Sequence, residues 1–205
     1  IETLIIKKDE LDGATRQHYL EIAYKHSNRL NSLIAELFEL AKLDSGDIEL
    51  NSENFSLVEL VYDCVQDYEL QARNRSVRLS VQVDGENPFV YADIALIQRV
   101  LQNLIDNALR HTPPGREIMV KLRDSEANAT IEVIDTGKGI AKHEIPHIFE
   151  RFYHAKDNEP SEEIGSGLGL AIVKKILELH QSSIRVRSEL NHGTSFSFEL
   201  PLKSA

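Results

Sequence analysis

Between Thr15 and Asp44 the chain runs without a single Gly or Pro, while Tyr19, Ala23, His26, Leu30, Leu33, Leu37 and Leu40 recur at alternating spacings of four and three. That is a heptad seam, and the pattern is helical throughout. Ile34, Phe38 and Ala41 widen the apolar face beyond the stripe of a two-stranded coil, which fits a helical bundle better. Ile1 to Lys8 reads as the last turns of an earlier helix, with "DELDGAT" as the connection. Residues 1–46 are therefore expected to be the C-terminal part of a helical hairpin whose first arm is mostly missing. His26 lies on the seam and is read as a buried, hydrogen-bonded or water-facing histidine.

Gly46 ends that pattern and the chain changes character. A helix is predicted over about Leu57–Asn74, then a strand from the alternation of Val77, Leu79, Val81 and Val83. A helix over about Ile94–Arg110 follows, then strands "EIMVKLRD" and "ATIEVID", a further helix ending near His180, and strands "IRVRS" and "TSFSFEL". Helices and strands interleave without a regular βαβ repeat, and the strands joined by short turns imply antiparallel pairs. The fold class predicted for residues 51–205 is α/β, a two-layer sandwich of helices on a mixed sheet. The polar run "HAKDNEPSEE", from His154 to Glu163, is too hydrophilic to pack by itself and reads as a lid-like loop.

Charge and cysteine content narrow the function classes. With 33 acidic against 23 basic residues the net charge is −10, which argues against general affinity for nucleic acid or anionic membrane. Cys64 is the only cysteine, so no intrachain disulfide can form, and it is read as an inert thiol on a helix. No apolar run approaches the ~20 residues that span a bilayer, and no signal peptide is visible. The expected location is cytoplasmic, as a whole protein or as the cytoplasmic part of a membrane receptor.

Three stretches carry chemistry. In "EIGSGLGLAIVKK", Gly165, Gly167 and Gly169 alternate and run into a helix, leaving backbone N–H groups open to an anion at the positive end of a helix dipole. A dinucleotide fingerprint would need a preceding strand, and a Walker loop would need Gly-Lys-Ser/Thr where Leu170 follows Gly169. In "LIQRVLQNLIDNALRHTPPG", Asn103, Asn107, Arg110 and His111 share one side of a helix that is otherwise apolar. Amide oxygens there suit Mg²⁺, a guanidinium suits phosphate and an imidazole can lie against a base, although the same four also fit a solvated helix face. In "IEVIDTGKGI", Asp135 ends an apolar strand before Gly137 and Gly139, and its carboxylate can accept from an exocyclic amine or simply close an Asp-Thr-Gly turn. Phe149, Phe152 and Tyr153 are expected to pack the base of a loop.

Taken in order, Asn103-x3-Asn107, Asp135-x-Gly137-x-Gly139, Phe149 with Phe152, and Gly165-x-Gly167-x-Gly169 resemble the N, G1, F and G2 boxes of sensor histidine kinases. These belong to the wider Bergerat-type ATPase family of Hsp90, gyrase B and MutL. "LNSLIAELFELAKLDSG" is similar to the second helix of the dimerisation and phosphotransfer hairpin, and "GTSFSFELP" to the closing strand of the ATPase domain. The resemblance implies a catalytic ATP-binding domain that takes ATP and Mg²⁺. Asn107 would be the Mg²⁺ ligand with Asn103 assisting, Arg110 would contact phosphate, His111 would face adenine and Asp135 would bind its amino group. Gly137 and Gly139 would shape the base pocket, while Gly165, Gly167 and Gly169 would line the phosphate side.

It also implies a protein histidine kinase that homodimerises through the hairpin, passes phosphate to a response-regulator receiver domain, and meets a membrane only through segments outside this chain. Two departures stand out. His154 occupies the place of an arginine common after the Phe-Tyr pair. No His-Glu/Asp-Leu-Arg-x-Pro box is present: "HEIP" at His143 lies after the Asp135 motif and lacks the rest. No catalytic residue is thus identified in the chain, and the family's phosphoacceptor would lie upstream of Ile1. The alternative is a nucleotide-binding signalling module that dimerises and switches a partner without phosphotransfer.

Overall fold

Asp12 starts the long helix: its carboxylate accepts the Thr15 amide at 2.7 Å, satisfying an N–H that the first turn cannot pair internally. Helix α1 then runs over Gly13–Asp44, and Gly46, at φ +75°, turns the chain away in the left-handed conformation that glycine adopts cheaply. The computed structural model describes residues 12–46, 48–85, 88–125, 127–154 and 165–202. The last turns of the hairpin's first arm, expected over Ile1–Lys8, and all of the polar run after His154 lie outside the described residues.

Strand β1 (Glu53–Ser56) leads into α2 (Leu57–Asn74), whose amide at Glu59 is capped by Ser56 Oγ at 3.1 Å. Next come β2 (Arg78–Asp84), β3 (Phe89–Ala92) and α3 (Ile94–His111). The Asp93 carboxylate both caps α3, accepting Leu96 N at 3.1 Å, and holds the incoming chain by accepting Asn51 N at 3.0 Å. Then follow β4 (Glu117–Asp124), β5 (Asn128–Asp135), α4 (Gly169–Leu179), β6 (Arg185–Glu189) and β7 (Gly193–Pro201).

The five-stranded sheet has the order β2-β4-β5-β7-β6. β2 and β4 are parallel, joined through β3 and α3, and the remaining neighbours are antiparallel. The predicted α/β sandwich with a mixed sheet is therefore the observed fold. Sequence patterning misses β1 and β3, which form a separate two-stranded antiparallel sheet pairing Phe55 with Val90. Four residues are too few to display a period.

Along β5 the inward positions are Ala129, Ile131, Val133 and Asp135, all buried, so the face that supplies the core ends in a carboxylate. Above it α3 contributes Val100, Leu101, Leu104 and Ile105, and β7 contributes Phe196 and Phe198. α2 buries Cys64, and burial first, then Asp67 and Asp63, push its thiol up to about 12, so it stays protonated as an inert group.

The long helix packs along α4, and Leu40 and Leu43 enter the same hydrophobic cluster as the body. Leu40, expected to bury against a second hairpin helix, is thus covered by the body, while Leu30, Ile34, Leu37 and Phe38 further up the helix are exposed. His26 is exposed.

Candidate functional site

A cleft of about 1120 Å³ opens between the C-terminal half of α3, the turn after β5, the start of α4 and one face of α1. Every residue singled out above for a site role lines it except Gly137.

Asp135 is 5% exposed. Its Oδ1 accepts Gly137 N at 2.8 Å and Thr194 N at 3.3 Å, leaving Oδ2 with no hydrogen-bond partner among the described residues. Burial raises its pKa and the two amides oppose that shift, so the structure holds an acceptor in a fixed place at some electrostatic cost. Gly137 is required because a Cβ would stand 2.3 Å from the carbonyl oxygen of His111, an oxygen that also accepts Lys138 N at 3.2 Å. The strand end and the helix end are in this way joined backbone to backbone. Burial, with Lys138 and Arg110 adding repulsion, lowers the His111 pKa to about 4, so the imidazole is neutral at pH 7 and can stack or hydrogen-bond without carrying charge. Next to it the Thr112 hydroxyl is buried with no hydrogen-bond partner among the described residues.

The other end of the cleft is built from α3 and the glycine loop. Asn103 donates from Nδ2 to Arg99 O at 3.0 Å, which turns Oδ1 toward α4, where it stands 3.0 Å from where a Cβ on Gly169 would be. An Arg110 guanidinium nitrogen lies 2.1 Å from the equivalent point on Gly165. Gly167, at φ +72°, would meet the Phe152 backbone at 2.7 Å, and Phe152 N donates to Gly167 O at 2.9 Å. Leu168 precedes α4 with no side-chain cap, so the first amides of that helix are not occupied by a capping side chain. Phe149 packs edge-on against Phe196 with ring centroids 6.4 Å apart, as expected for a loop base. Phe152, expected to do the same, is 56% exposed at φ +60°, and its backbone is what anchors the loop.

Several cleft residues escape the sequence reading. Ser32, Ala35 and Glu36 of α1 line the wall, although nothing in the heptad seam marks them for it. Glu36 Oε2 is buried with no hydrogen-bond partner among the described residues. Asp106 also lines the cleft and accepts Tyr68 Oη at 3.0 Å; burial raises its pKa, against the Tyr68 hydrogen bond and the charges of Arg110 and Arg99. Nothing in the sequence pattern marks it. Among the described residues no cluster of three or more His, Cys, Asp or Glu side chains could hold a metal unaided.

A family model described as histidine kinase-, DNA gyrase B- and HSP90-like ATPase matches residues 92–204, more than half of this chain. The chain belongs to that ATPase family. Within it, the chain is 33% identical over 210 residues to Drug sensory protein A of Synechocystis sp., covering 98% of this chain and 31% of that protein. It is 33% identical over 201 residues to Sensor protein SrrB of Staphylococcus aureus, covering 98% and 33%. The chain thus spans about a third of the curated relatives it matches. Histidine kinase ThkA in complex with response regulator protein TrrA superposes with a TM-score of 0.79 at 26% identity, over 98% of this chain and 55% of that one. Full-length ShkA in complex with AMPPNP shares the fold, with a TM-score of 0.81 at 24% identity over 97% and 41%. No helix among the described residues of this family member is long and apolar enough to cross a membrane.

Proposed function

We propose that this cleft binds ATP with Mg²⁺ and that the chain is the kinase portion of a two-component sensor histidine kinase. The observation that carries the reading is the pairing, in one cleft, of a buried carboxylate with an unpartnered oxygen at one end and an uncapped helix start flanked by Arg110 at the other. Asp135 Oδ2 is the acceptor for the adenine amine, and neutral His111 lies against the base. The orphaned Thr112 hydroxyl fits a polar ligand atom at that same end. Arg110 and the amides that open α4 meet the phosphates, with Gly165, Gly167 and Gly169 permitting close backbone approach.

Asn107 offers an amide oxygen to Mg²⁺, with Asn103 beside it. When bound, the ion supplies charge neutralisation for the phosphate oxygens. The chain's own work is positioning, which can account for several kcal/mol of a phosphoryl-transfer barrier. The γ-phosphoryl passes to a histidine upstream of Ile1 and from there to an aspartate of a response-regulator receiver domain. The names of the sensor-protein relatives and the ThkA–TrrA complex support that direction of flow.

In this reading residues 1–46 belong to the dimerisation hairpin and residues 51–205 form the catalytic domain, on the cytoplasmic side of any membrane the whole protein crosses. The exposed stripe of Leu30, Ile34, Leu37 and Phe38 is the half of a homodimeric bundle that the body does not cover. Sedimentation of a chain extended through the full hairpin should give a dimer; a monomer independent of concentration would exclude this assembly.

The function is tested by incubating the chain with γ-labelled ATP, alone and with a fragment carrying the upstream helix. The chain alone should stay unlabelled, since none of its eight histidines is followed by a phosphoacceptor box, and the fragment should acquire acid-labile phosphate. Tight ATP binding without labelling of the fragment would favour the non-catalytic signalling module instead.

A further inference from the structure

The long helix does more than border the cleft. One turn before Ser32, on the same face, Arg29 reaches the glycine loop: its Nη2 donates to Gly165 O across 3.4 Å. A hydrogen bond that long is weak, and among the described residues it occupies one of the guanidinium's five donors.

Arg29 meets two other basic groups there. Arg110 comes up from α3 and presses its guanidinium against the Gly165 backbone. His154 sits close to Gly167, where a Cβ would stand 3.1 Å from its Nε2. These groups are near enough to interact, since burial and then the charges of Arg29 and Arg110 lower the His154 pKa. Two guanidiniums and an imidazole from three separate elements thus converge on one stretch of glycine backbone beside an uncapped helix start, in a protein whose overall charge is −10. Like charges brought together in this way repel one another until an anion arrives, and a polyphosphate relieves that repulsion.

Asp135 and His111 mark the base end of the cleft, and Arg29 approaches the glycine loop that Arg110 also meets. We propose that Arg29 of α1 is a ligand of the terminal phosphate of the bound nucleotide, so that the long helix supplies part of the site that distinguishes triphosphate from diphosphate. The inference rests on the nucleotide reading of the cleft and goes beyond it by joining the hairpin to the phosphate. ATP bound this way fastens α1 to the body, and loss of the terminal phosphate releases that fastening.

The test is calorimetric titration of the full chain with Mg-AMPPNP, Mg-ADP and adenosine, comparing the unaltered protein with Arg29→Ala, Arg29→Met and Arg29→Lys. Removing one charge-assisted contact should weaken AMPPNP by roughly 10-fold in the Ala and Met variants, with ADP changed less than about 3-fold and adenosine unchanged. Arg29→Met keeps the aliphatic stem, so a loss there reports charge rather than packing, and Arg29→Lys should recover part of the AMPPNP affinity. Unchanged AMPPNP affinity in Arg29→Ala, or equal losses for all three ligands, would overturn the assignment. If Asn107→Ala weakens AMPPNP while Arg29→Ala does not, this inference fails and the nucleotide reading stands. An unaltered chain that binds no AMPPNP overturns both.

Discussion

Arg99 of α3 and Glu39 of α1 clasp one another in a forked ion pair, with Arg99 Nε 3.0 and 3.1 Å from the two carboxylate oxygens and Nη2 2.8 Å from the second. Both side chains are under a third exposed, at 31% and 28%, so the pair is shielded better than an ordinary surface bridge. Together with Arg151 and Lys175 on Asp44, it fixes the end of the long helix to the body. Replacing Glu39 by Gln or Arg99 by Gln should each cost about 1 kcal/mol, and the double variant should cost less than the sum. Urea titration measures the cycle, and hydrogen exchange should quicken over residues 30–44. Additive losses with unchanged exchange would mean that the pair does not hold the helix.

Gly137 and Gly165 should respond differently to a single added methyl. At Gly137 the Cβ would strike the carbonyl of His111, a backbone atom already bonded to Lys138, so Gly137→Ala should destabilise the fold by about 1–3 kcal/mol. At Gly165 it would meet the end of the Arg110 side chain, which can swing aside. Gly165→Ala should leave the melting temperature nearly unchanged yet weaken AMPPNP binding, because Arg110 is displaced from the loop. Equal effects of the two substitutions on stability would contradict this geometry.

The lowered pKa of His111 makes stability depend on pH with a definite sign. Above about pH 6.5 the imidazole is neutral both folded and unfolded; as the pH falls toward 4 the unfolded chain takes up a proton that the folded chain refuses. This group's contribution is therefore present at neutral pH and lost on acidification, by about 2 kcal/mol between pH 7 and pH 5. Denaturant titrations at those two pH values should show the difference, and it should shrink in His111→Gln. An identical pH response in that variant would place the titrating group elsewhere.

Much of the body is legible in its sequence because its elements are long and one-faced. The α3 polar positions follow a helical period, and Asp135 continues the two-residue alternation of β5, so periodicity alone places both. β1 and β3 are not legible, since each is four residues long and exists by pairing with a segment more than thirty positions away. The cleft-facing side of α1 is hidden for another reason. A heptad seam records which positions are apolar, whereas Ser32 and Glu36 line the cleft, and Arg29 reaches its glycine loop, only because the body docks on the C-terminal end of the helix through Leu40 and Leu43. Asp106 sits in the same turn as Asn107, and its role is visible only once Tyr68 is seen bonded to it.

The nucleotide assignment is tested most directly by calorimetric titration of Mg-ATP into the chain and two variants. Asp135→Asn can keep a carbonyl oxygen on the Gly137 and Thr194 amides, but it then turns an NH₂ group toward a ligand amine where the carboxylate offered Oδ2. Asn107→Ala removes the amide oxygen assigned to the metal. The unaltered chain should bind Mg-ATP, Asp135→Asn should weaken it by about 10- to 100-fold, and Asn107→Ala should abolish the dependence of affinity on Mg²⁺. Mg-ATP affinity that is the same in all three proteins would contradict the assignment of this cleft.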